Sequence, residues 1–172
     1  GADDDVTLHG PKCSAVHGDR FYVADIDVVR AFDRSSGAPV ATWEVSNAGF
    51  LNDVAVGADG TVYVTDTGIT ITAQGFQPTG TAAIYRFDTN GNAEAIARGD
   101  ALSLPNGVIE APQGLVMVPV GSNAVMTVAA DGTLSTLVEL PQGQLDGVVV
   151  AADGSLVVSS FGANVIYQVT PS

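Results

Sequence analysis

Three polar residues of this sequence stand at the same point of a repeated pattern, and their oxygen atoms are of the kind that bind a divalent cation. Asn52, Asn106 and Asp146 each precede an apolar strand and a tight turn, and a glycine follows each of them eight residues later. These glycines are Gly60, Gly114 and Gly154. Two amide oxygens and a carboxylate suit a hard cation such as Ca²⁺ or Mg²⁺, whereas softer metals favour His or Cys ligands. The pattern therefore predicts a divalent-cation site, provided that the fold brings the three residues together.

A fourth copy of the pattern begins at Lys12, so the leading positions are 12, 52, 106 and 146. Their spacings of 40, 54 and 40 residues match or approach the period of a four-stranded β-propeller blade. The innermost strand of each blade runs beside the central tunnel, so residues at its start converge on one mouth. The sequence thus predicts an all-β fold of the β-propeller type, in which Lys12 lies beside Asn52, Asn106 and Asp146.

The second strand of each repeat returns to the same mouth, because the two strands form an antiparallel hairpin. Its end adds rim residues that we expect to bind substrate: Asp25, Asp27, Asp66 and Ser160. Lys12 is a further substrate-binding candidate, for an oxyanion or a carboxylate, with a surface salt bridge as the alternative. Residues 68–81 are the extra length of the second repeat and begin directly after the rim. Long loops at such a place often act as lids or walls of a substrate site.

The repeats define one partial propeller domain over residues 1–172, with blades at about 10–46, 50–99, 103–141 and 144–172, the last of them incomplete. A β-sandwich would also show short strands with turn signals. However, a sandwich gives no reason for a polar residue at the same point of every 40-residue unit, so the propeller is the better interpretation.

Single Asn and Asp residues in such repeats also have a purely structural interpretation. Three aspartates lie in Ala-Asp-Gly turns, where Asp and Gly tolerate the positive φ of tight hairpins: Asp59, Asp131 and Asp153. Taken singly, Asn52, Asn106 and Asp146 could likewise only cap strand ends. Their common register across three repeats favours a shared ligand role.

Composition narrows the classes of partner. The net charge of −13, from 19 acidic residues against six Lys and Arg, repels polyanions, so we expect no nucleic-acid partner. No apolar run reaches the ~18 residues of a membrane span, and we expect a soluble protein without a membrane partner. The lone Cys13 excludes an internal disulfide and a cysteine-rich zinc site, and we expect it to be a small buried residue. The scarcity of Lys and Cys favours a periplasmic or secreted protein over a cytoplasmic one.

Five short motifs lie at the leading positions and at the ends of second strands. They are Leu-Asn-Asp-Val at 51–54, Leu-Pro-Asn-Gly-Val at 104–108, Leu-Asp-Gly-Val at 145–148, and Tyr-Val-x-Asp at 22–25 and 63–66. Together they resemble the senescence-marker-protein/gluconolactonase (regucalcin-like) family over nearly the whole chain. The resemblance implies a six-bladed β-propeller, of which about four blades are present here.

The resemblance also implies a metal site and an activity. A Glu of the first blade, an Asn of an Asn-Gly motif and an Asp of an Asp-Gly motif hold the metal, with an Asn of an Asn-Asp motif close by. Here these are Asn106, Asp146 and, close by, Asn52, and the Glu would lie before Gly1. The implied function is a divalent-metal-dependent hydrolase of the lactonase or esterase type acting on a small molecule. Its cation polarises the substrate oxygen, and Asp146 serves as ligand and base. Ca²⁺ is the expected ion, with Zn²⁺ and Mg²⁺ as alternatives.

A non-catalytic propeller of the NHL-repeat type is the alternative, because its short strands with Tyr-Val-x-Asp ends look much like those of this chain. Such propellers serve as ligand- or protein-binding platforms. A platform has no need for polar residues in register at the mouth, which distinguishes the two interpretations. In either case an open propeller exposes strand edges and blade faces, so we expect self-association there.

Overall fold

The computed structural model describes residues 6–88 and 90–170. The first sheet consists of β1 (Pro11–His17), β2 (Arg20–Asp25), β3 (Val28–Asp33) and β4 (Pro39–Glu44). The next six strands are β5 (Leu51–Val56), β6 (Val62–Asp66), β7 (Ile69–Thr72), β8 (Gly75–Pro78), β9 (Ala83–Phe87) and β10 (Ala93–Arg98). Of these, β5, β6, β9 and β10 form the second sheet, and β7 and β8 pair as a separate hairpin.

Two further sheets complete the described chain. The third consists of β11 (Pro105–Ala111), β12 (Gly114–Pro119), β13 (Ala124–Val128) and β14 (Leu134–Glu139). The fourth consists of β15 (Leu145–Val150), β16 (Leu156–Ser160) and β17 (Val165–Val169). Within residues 6–88 and 90–170, the one helical element is a 3₁₀ turn at Asp100–Leu102, and no helix is long and apolar enough to cross a membrane.

The four sheets are blades of a β-propeller, numbered here 1 to 4 in chain order. Every pair of neighbouring strands is antiparallel, and the first strand of each blade packs against the first strand of the next. This arrangement places β1, β5, β11 and β15 innermost, beside a shared axis. The all-β propeller prediction is confirmed, with four blades present.

The hydrophobic core is divided into three clusters, one at each junction between consecutive blades. Leu51 lies in the cluster between blades 1 and 2, Met117 in the cluster between blades 2 and 3, and Leu145 in the cluster between blades 3 and 4. On β12, Val116 and Val118 face blade 4 while Met117 faces blade 2, and all three are fully buried. Both faces of a central blade are covered, which explains why its strands are apolar at consecutive rather than alternate positions.

The outer faces of blades 1 and 4 carry apolar side chains that no other blade of the described chain covers. Val16 of blade 1 is 51% exposed, and Val149 and Ile166 of blade 4 are 56% and 72% exposed. Exposed contiguous apolar surface favours association. Self-association through these faces stays a prediction.

Candidate functional site

Each of the four inner strands carries a β-bulge at the same place. In blade 3, Pro105 pairs with Pro119 but Val108 pairs with Met117, so β11 holds one residue more than β12 over that interval. The same irregularity lies between Pro11 and Ser14, Leu51 and Val54, and Leu145 and Val148. The residues at the start of the bulges are Lys12, Asn52, Asn106 and Asp146. Because a bulge turns side chains away from the regular pleat, the fold presents all four leading residues in the same way.

The bulges of blades 3 and 4 bring Asn106 and Asp146 into direct contact. The Nδ2 amide of Asn106 donates a 2.8 Å hydrogen bond to Oδ1 of Asp146 and a longer one, 3.4 Å, to the carbonyl of Leu145. Asn106 is buried and Asp146 is exposed, so the pair links the interior to solvent. A Cβ on Gly107 would lie 2.5 Å from the Asp146 carbonyl oxygen, so only glycine permits this close approach of the two blades.

Asn52 and Lys12 make other contacts. The Nδ2 amide of Asn52 donates a 3.0 Å hydrogen bond to Oγ1 of Thr67, and this hydroxyl donates in turn to the carbonyl of Pro105, next to Asn106. Lys12 is exposed, and its ammonium group lies 5.0 Å from the centre of the Phe50 ring, at the distance of a cation–π contact. The structure thus connects Asn52 to the Asn106 segment and places Lys12 on an aromatic ring.

Two of the expected rim residues, Asp25 and Asp66, are fully buried and hold backbone groups. The carboxylate of Asp25 accepts hydrogen bonds from the backbone N–H of Gly10 at 2.7 Å and from Nε of Arg30 at 2.6 Å. The carboxylate of Asp66 accepts from the backbone N–H of Phe50 at 2.8 Å. Each aspartate therefore fixes the segment that leads into the inner strand of its own blade.

The other two rim residues differ from each other. The hydroxyl of Ser160, also buried, donates a 2.6 Å hydrogen bond to the carbonyl of Gly143, just before β15, and so repeats the role of the two aspartates. Asp27 is exposed, and its carboxylate lies 2.6 Å from Nδ1 of His9. Of the four, Asp27 is the one whose carboxylate is open to a ligand in solvent.

Asp53, which the sequence analysis did not single out, is a buried carboxylate between three blades. It accepts hydrogen bonds from the backbone N–H of Val54 at 2.8 Å and of Val108 in blade 3 at 2.7 Å. Burial raises the pKa of Asp53, although these donors and Cys13 oppose the shift, and the charge of Asp146 adds to it. Its only sequence signal was the Asn-Asp pair, since an acid at a strand start otherwise indicates exposure.

Cys13 is exposed, so the prediction of a small buried residue is wrong. It lies on blade 1, whose outer face is open, although its thiol is next to the Asp53 carboxylate. Desolvation of the thiol and the charge of Asp53 raise the pKa of Cys13 to about 12. A thiol that stays protonated at neutral pH is a poor nucleophile.

The donor chemistry at the mouth fits a hard cation. Among the described residues, no three His, Cys, Asp or Glu side chains converge, which does not favour a soft-metal or carboxylate-rich centre. Asn106 and Asp146 supply an amide and a carboxylate oxygen side by side, with Asn52 one hydrogen-bonded step away. Ca²⁺ takes about 6–8 oxygen ligands, so water and further groups would complete its shell.

The extra length of blade 2 forms the β7–β8 hairpin, which leaves the blade directly at the mouth. At its base, the N–H of Gly68 donates to Asp66 and its carbonyl accepts from Thr79. Ile71 pairs with Phe76, so the two side chains lie on one face of the hairpin, and they are 59% and 68% exposed. The hairpin thus offers an apolar contact surface rooted next to Thr67 and Asn52.

A β-propeller that presents amide and carboxylate oxygens from matching bulges at one mouth defines the class of this protein. A family model for the SMP-30/gluconolactonase/LRE-like region matches residues 5–172. The chain belongs to this family, which confirms the resemblance seen in the sequence. No curated protein matches the chain significantly in sequence.

Solved structures share the fold at low sequence identity. A streptogramin B lyase has a TM-score of 0.75 at 17% identity, covering 96% of this chain and 53% of its own. A gluconolactonase from Xanthomonas campestris has a TM-score of 0.67 at 19% identity, covering 92% and 61%. A calcium-binding regucalcin from Agrobacterium tumefaciens has a TM-score of 0.66 at 18% identity, covering 90% and 54%. The chain therefore spans between about half and three fifths of these structures.

Proposed function

We propose that the protein is a divalent-metal-dependent hydrolase of the lactonase or esterase type. The observation that carries this proposal is the contact between Asn106 and Asp146, one from each of two neighbouring bulges, at the mouth of a propeller of this family. Family membership supports a lactonase-type enzyme, and the names of two structural relatives add a gluconolactonase and a calcium-binding protein. A small lactone is the proposed substrate and Ca²⁺ the proposed ion.

In this proposal the two residues of the pair have different tasks. Asn106 and Asp146 hold the cation, with Asn52 close by, and the bound cation supplies polarisation of the substrate carbonyl. Asp146 is exposed to solvent, so water reaches its carboxylate. One of its oxygens already accepts from Asn106, which fixes the orientation of the carboxylate and leaves the other free to accept a proton from the attacking water.

Removal and return of the cation test the proposal. The purified protein, stripped with a chelator, is expected to hydrolyse a simple aldonolactone at the uncatalysed rate, and added Ca²⁺ is expected to restore turnover. Calorimetry should show binding of the ion to the stripped protein without substrate. If neither Ca²⁺, Zn²⁺ nor Mg²⁺ binds and none supports hydrolysis, the enzyme proposal is wrong, and a binding platform becomes the better interpretation.

The β7–β8 hairpin predicts a preference for substrates with an apolar group. Replacing both Ile71 and Phe76 with Ser is expected to lower kcat/KM about tenfold for a lactone with an alkyl side chain, since lost apolar contacts in a site are worth roughly 1–3 kcal/mol each. The value for an unsubstituted aldonolactone should change little.

Thr70 and Gln77 face each other on the opposite side of the same hairpin and provide the matched control. Replacing both with Ser should leave the ratio of the two kcat/KM values unchanged. An equal loss for both substrates in the Ile71/Phe76 variant would show that the hairpin does not select the substrate.

A further inference from the structure

Three hydrogen bonds run from blade 2 to the backbone on either side of Asn106. The hydroxyl of Thr67 donates to the Pro105 carbonyl at 2.8 Å, and the hydroxyl of Thr65 donates to the Asn106 carbonyl at 2.6 Å. The carboxylate of Asp53 accepts from the backbone N–H of Val108 at 2.7 Å, as described above. The bulge that carries Asn106 is thus held at three backbone groups by the preceding blade.

We propose that Thr65, Thr67 and Asp53 form an interblade latch that positions Asn106 for the cation. The inference rests on the proposed function, because it deepens the account of the same site. The three are positioning residues, since none of them contacts Asp146 through a hydrogen bond of its own and all act through the Asn106 segment.

Both threonine hydroxyls of the latch are fully satisfied, which fixes their direction. The hydroxyl of Thr65 accepts from the N–H of Asp53 at 3.0 Å, and that of Thr67 accepts from Nδ2 of Asn52 at 3.0 Å, so each is free to donate only to blade 3. All three latch residues are buried. Buried hydrogen bonds exchange little with water, so the connection is rigid and has no solvated alternative.

The latch also joins two proposed ligands. Asn52 contacts Thr67, Thr67 contacts the residue before Asn106, and Asn106 contacts Asp146. One continuous chain of hydrogen bonds therefore runs across blades 2, 3 and 4 through Asn52, Asn106 and Asp146. Outer partners that orient metal ligands in this way typically change metal affinity by about 10–100-fold when removed.

Comparison of the blades argues that these hydroxyls serve the site rather than blade packing in general. The ends of the second strands align through Asp25, Asp66, Pro119 and Ser160, each paired with the residue before the bulge. At the position of Thr65, blade 1 has Ala24 and blade 3 has Val118, and neither side chain can donate a hydrogen bond. The junctions of blades 1 with 2 and of blades 3 with 4 are thus packed without a hydroxyl at this place. The hydroxyl occurs at the junction that presents Asn106.

The variant Thr65→Val/Thr67→Val tests the latch, because valine keeps the shape of threonine and removes the donor. In the metal-free protein, we expect hydrogen exchange of the backbone amides of residues 106–108 to rise about tenfold while the other blades keep their protection. In Ca²⁺ titrations by calorimetry, we expect the dissociation constant to rise about 10–100-fold. Restoring the hydroxyls in Thr65→Ser/Thr67→Ser should bring both values back towards those of the native protein.

Thr127→Val is the matched control, since the Thr127 hydroxyl donates to the Ser135 carbonyl in the outer strands of blade 3. It should change neither exchange at residues 106–108 nor Ca²⁺ affinity. Unchanged exchange in the double valine variant overturns the latch, as does an increase spread evenly over all blades. If the native protein binds no cation, the proposed function fails while the exchange measurement still decides the latch.

Discussion

Replacing Asp146 with Asn is expected to lower metal-dependent lactone hydrolysis by about 10³-fold, because positioned acid–base groups typically contribute about 10²–10⁴-fold. Asn keeps the size of the side chain and an Oδ1 that accepts from Nδ2 of Asn106, so the contact between blades 3 and 4 persists. What is lost is the negative charge that binds the cation and the oxygen that accepts the proton of water. The measurement is kcat/KM with Ca²⁺ at a concentration that saturates each variant.

Asp131→Asn is the control for this loss. Asp131 lies exposed in the turn between β13 and β14 and accepts the N–H of Thr133 through Oδ1, a bond that Asn also accepts. The control should retain native activity. Saturating Ca²⁺ separates weak binding from lost chemistry: if the Asp146 variant regains full kcat at high Ca²⁺, Asp146 is a ligand only, and the base must be sought elsewhere.

The blade architecture could be predicted because one pattern recurs four times along the chain. The spacing from Asn106 to Gly114 predicted β11, a turn and β12, and the structure places these strands at Pro105–Ala111 and Gly114–Pro119. Strand location depends on local signals such as turn glycines and runs of Val and Ile, which the sequence displays directly. The contact between the Asn106 and Asp146 side chains could also be anticipated from their register.

The bulges and the roles of the rim aspartates could not be predicted in the same way. A bulge adds a single residue to one strand and leaves no mark in the spacing of apolar residues, so Asp53 was not recognised as a buried residue. Asp25 and Asp66 end their strands at the mouth as expected, yet their side chains turn inward to backbone N–H groups of their own blades. Which way a strand-end side chain turns depends on unpaired donors nearby, and those are set by the tertiary fold.

Asp25→Asn is expected to lower the free energy of unfolding by about 3–5 kcal/mol, because it leaves a buried guanidinium without its carboxylate. Arg30 is 7% exposed, and its Nε donates to Asp25 at 2.6 Å, while its Nη2 donates only to the Thr7 carbonyl. Asn fits the same space and leaves no cavity, so the loss reports the charge pair. Chemical denaturation at pH 7 measures it, and Asp27→Asn, at an exposed carboxylate next to His9, should cost less than about 1 kcal/mol.

The pH dependence of the same pair gives an independent result. Burial by itself would raise the pKa of Asp25, but the hydrogen bonds from Arg30, Gly10 and His9 outweigh burial and hold it below its usual value. A carboxyl whose pKa is lower in the folded state stabilises the fold above the ordinary Asp pKa, and this contribution is lost as the pH falls through the folded value. Asp25→Asn should therefore flatten the acid side of the stability curve.

Removing both charges separates the pair from the packing around it. In Asp25→Asn/Arg30→Met the unpaired guanidinium is gone, and an apolar side chain takes its place among the buried residues of blade 1, so we expect the double variant to recover most of the stability that the single variant loses. If the single variant stays within about 1 kcal/mol of the native protein, the ion pair is not what holds the first blade. If the double variant is as unstable as the single one, the backbone donors of His9 and Gly10, rather than Arg30, are what the Asp25 carboxylate is needed for.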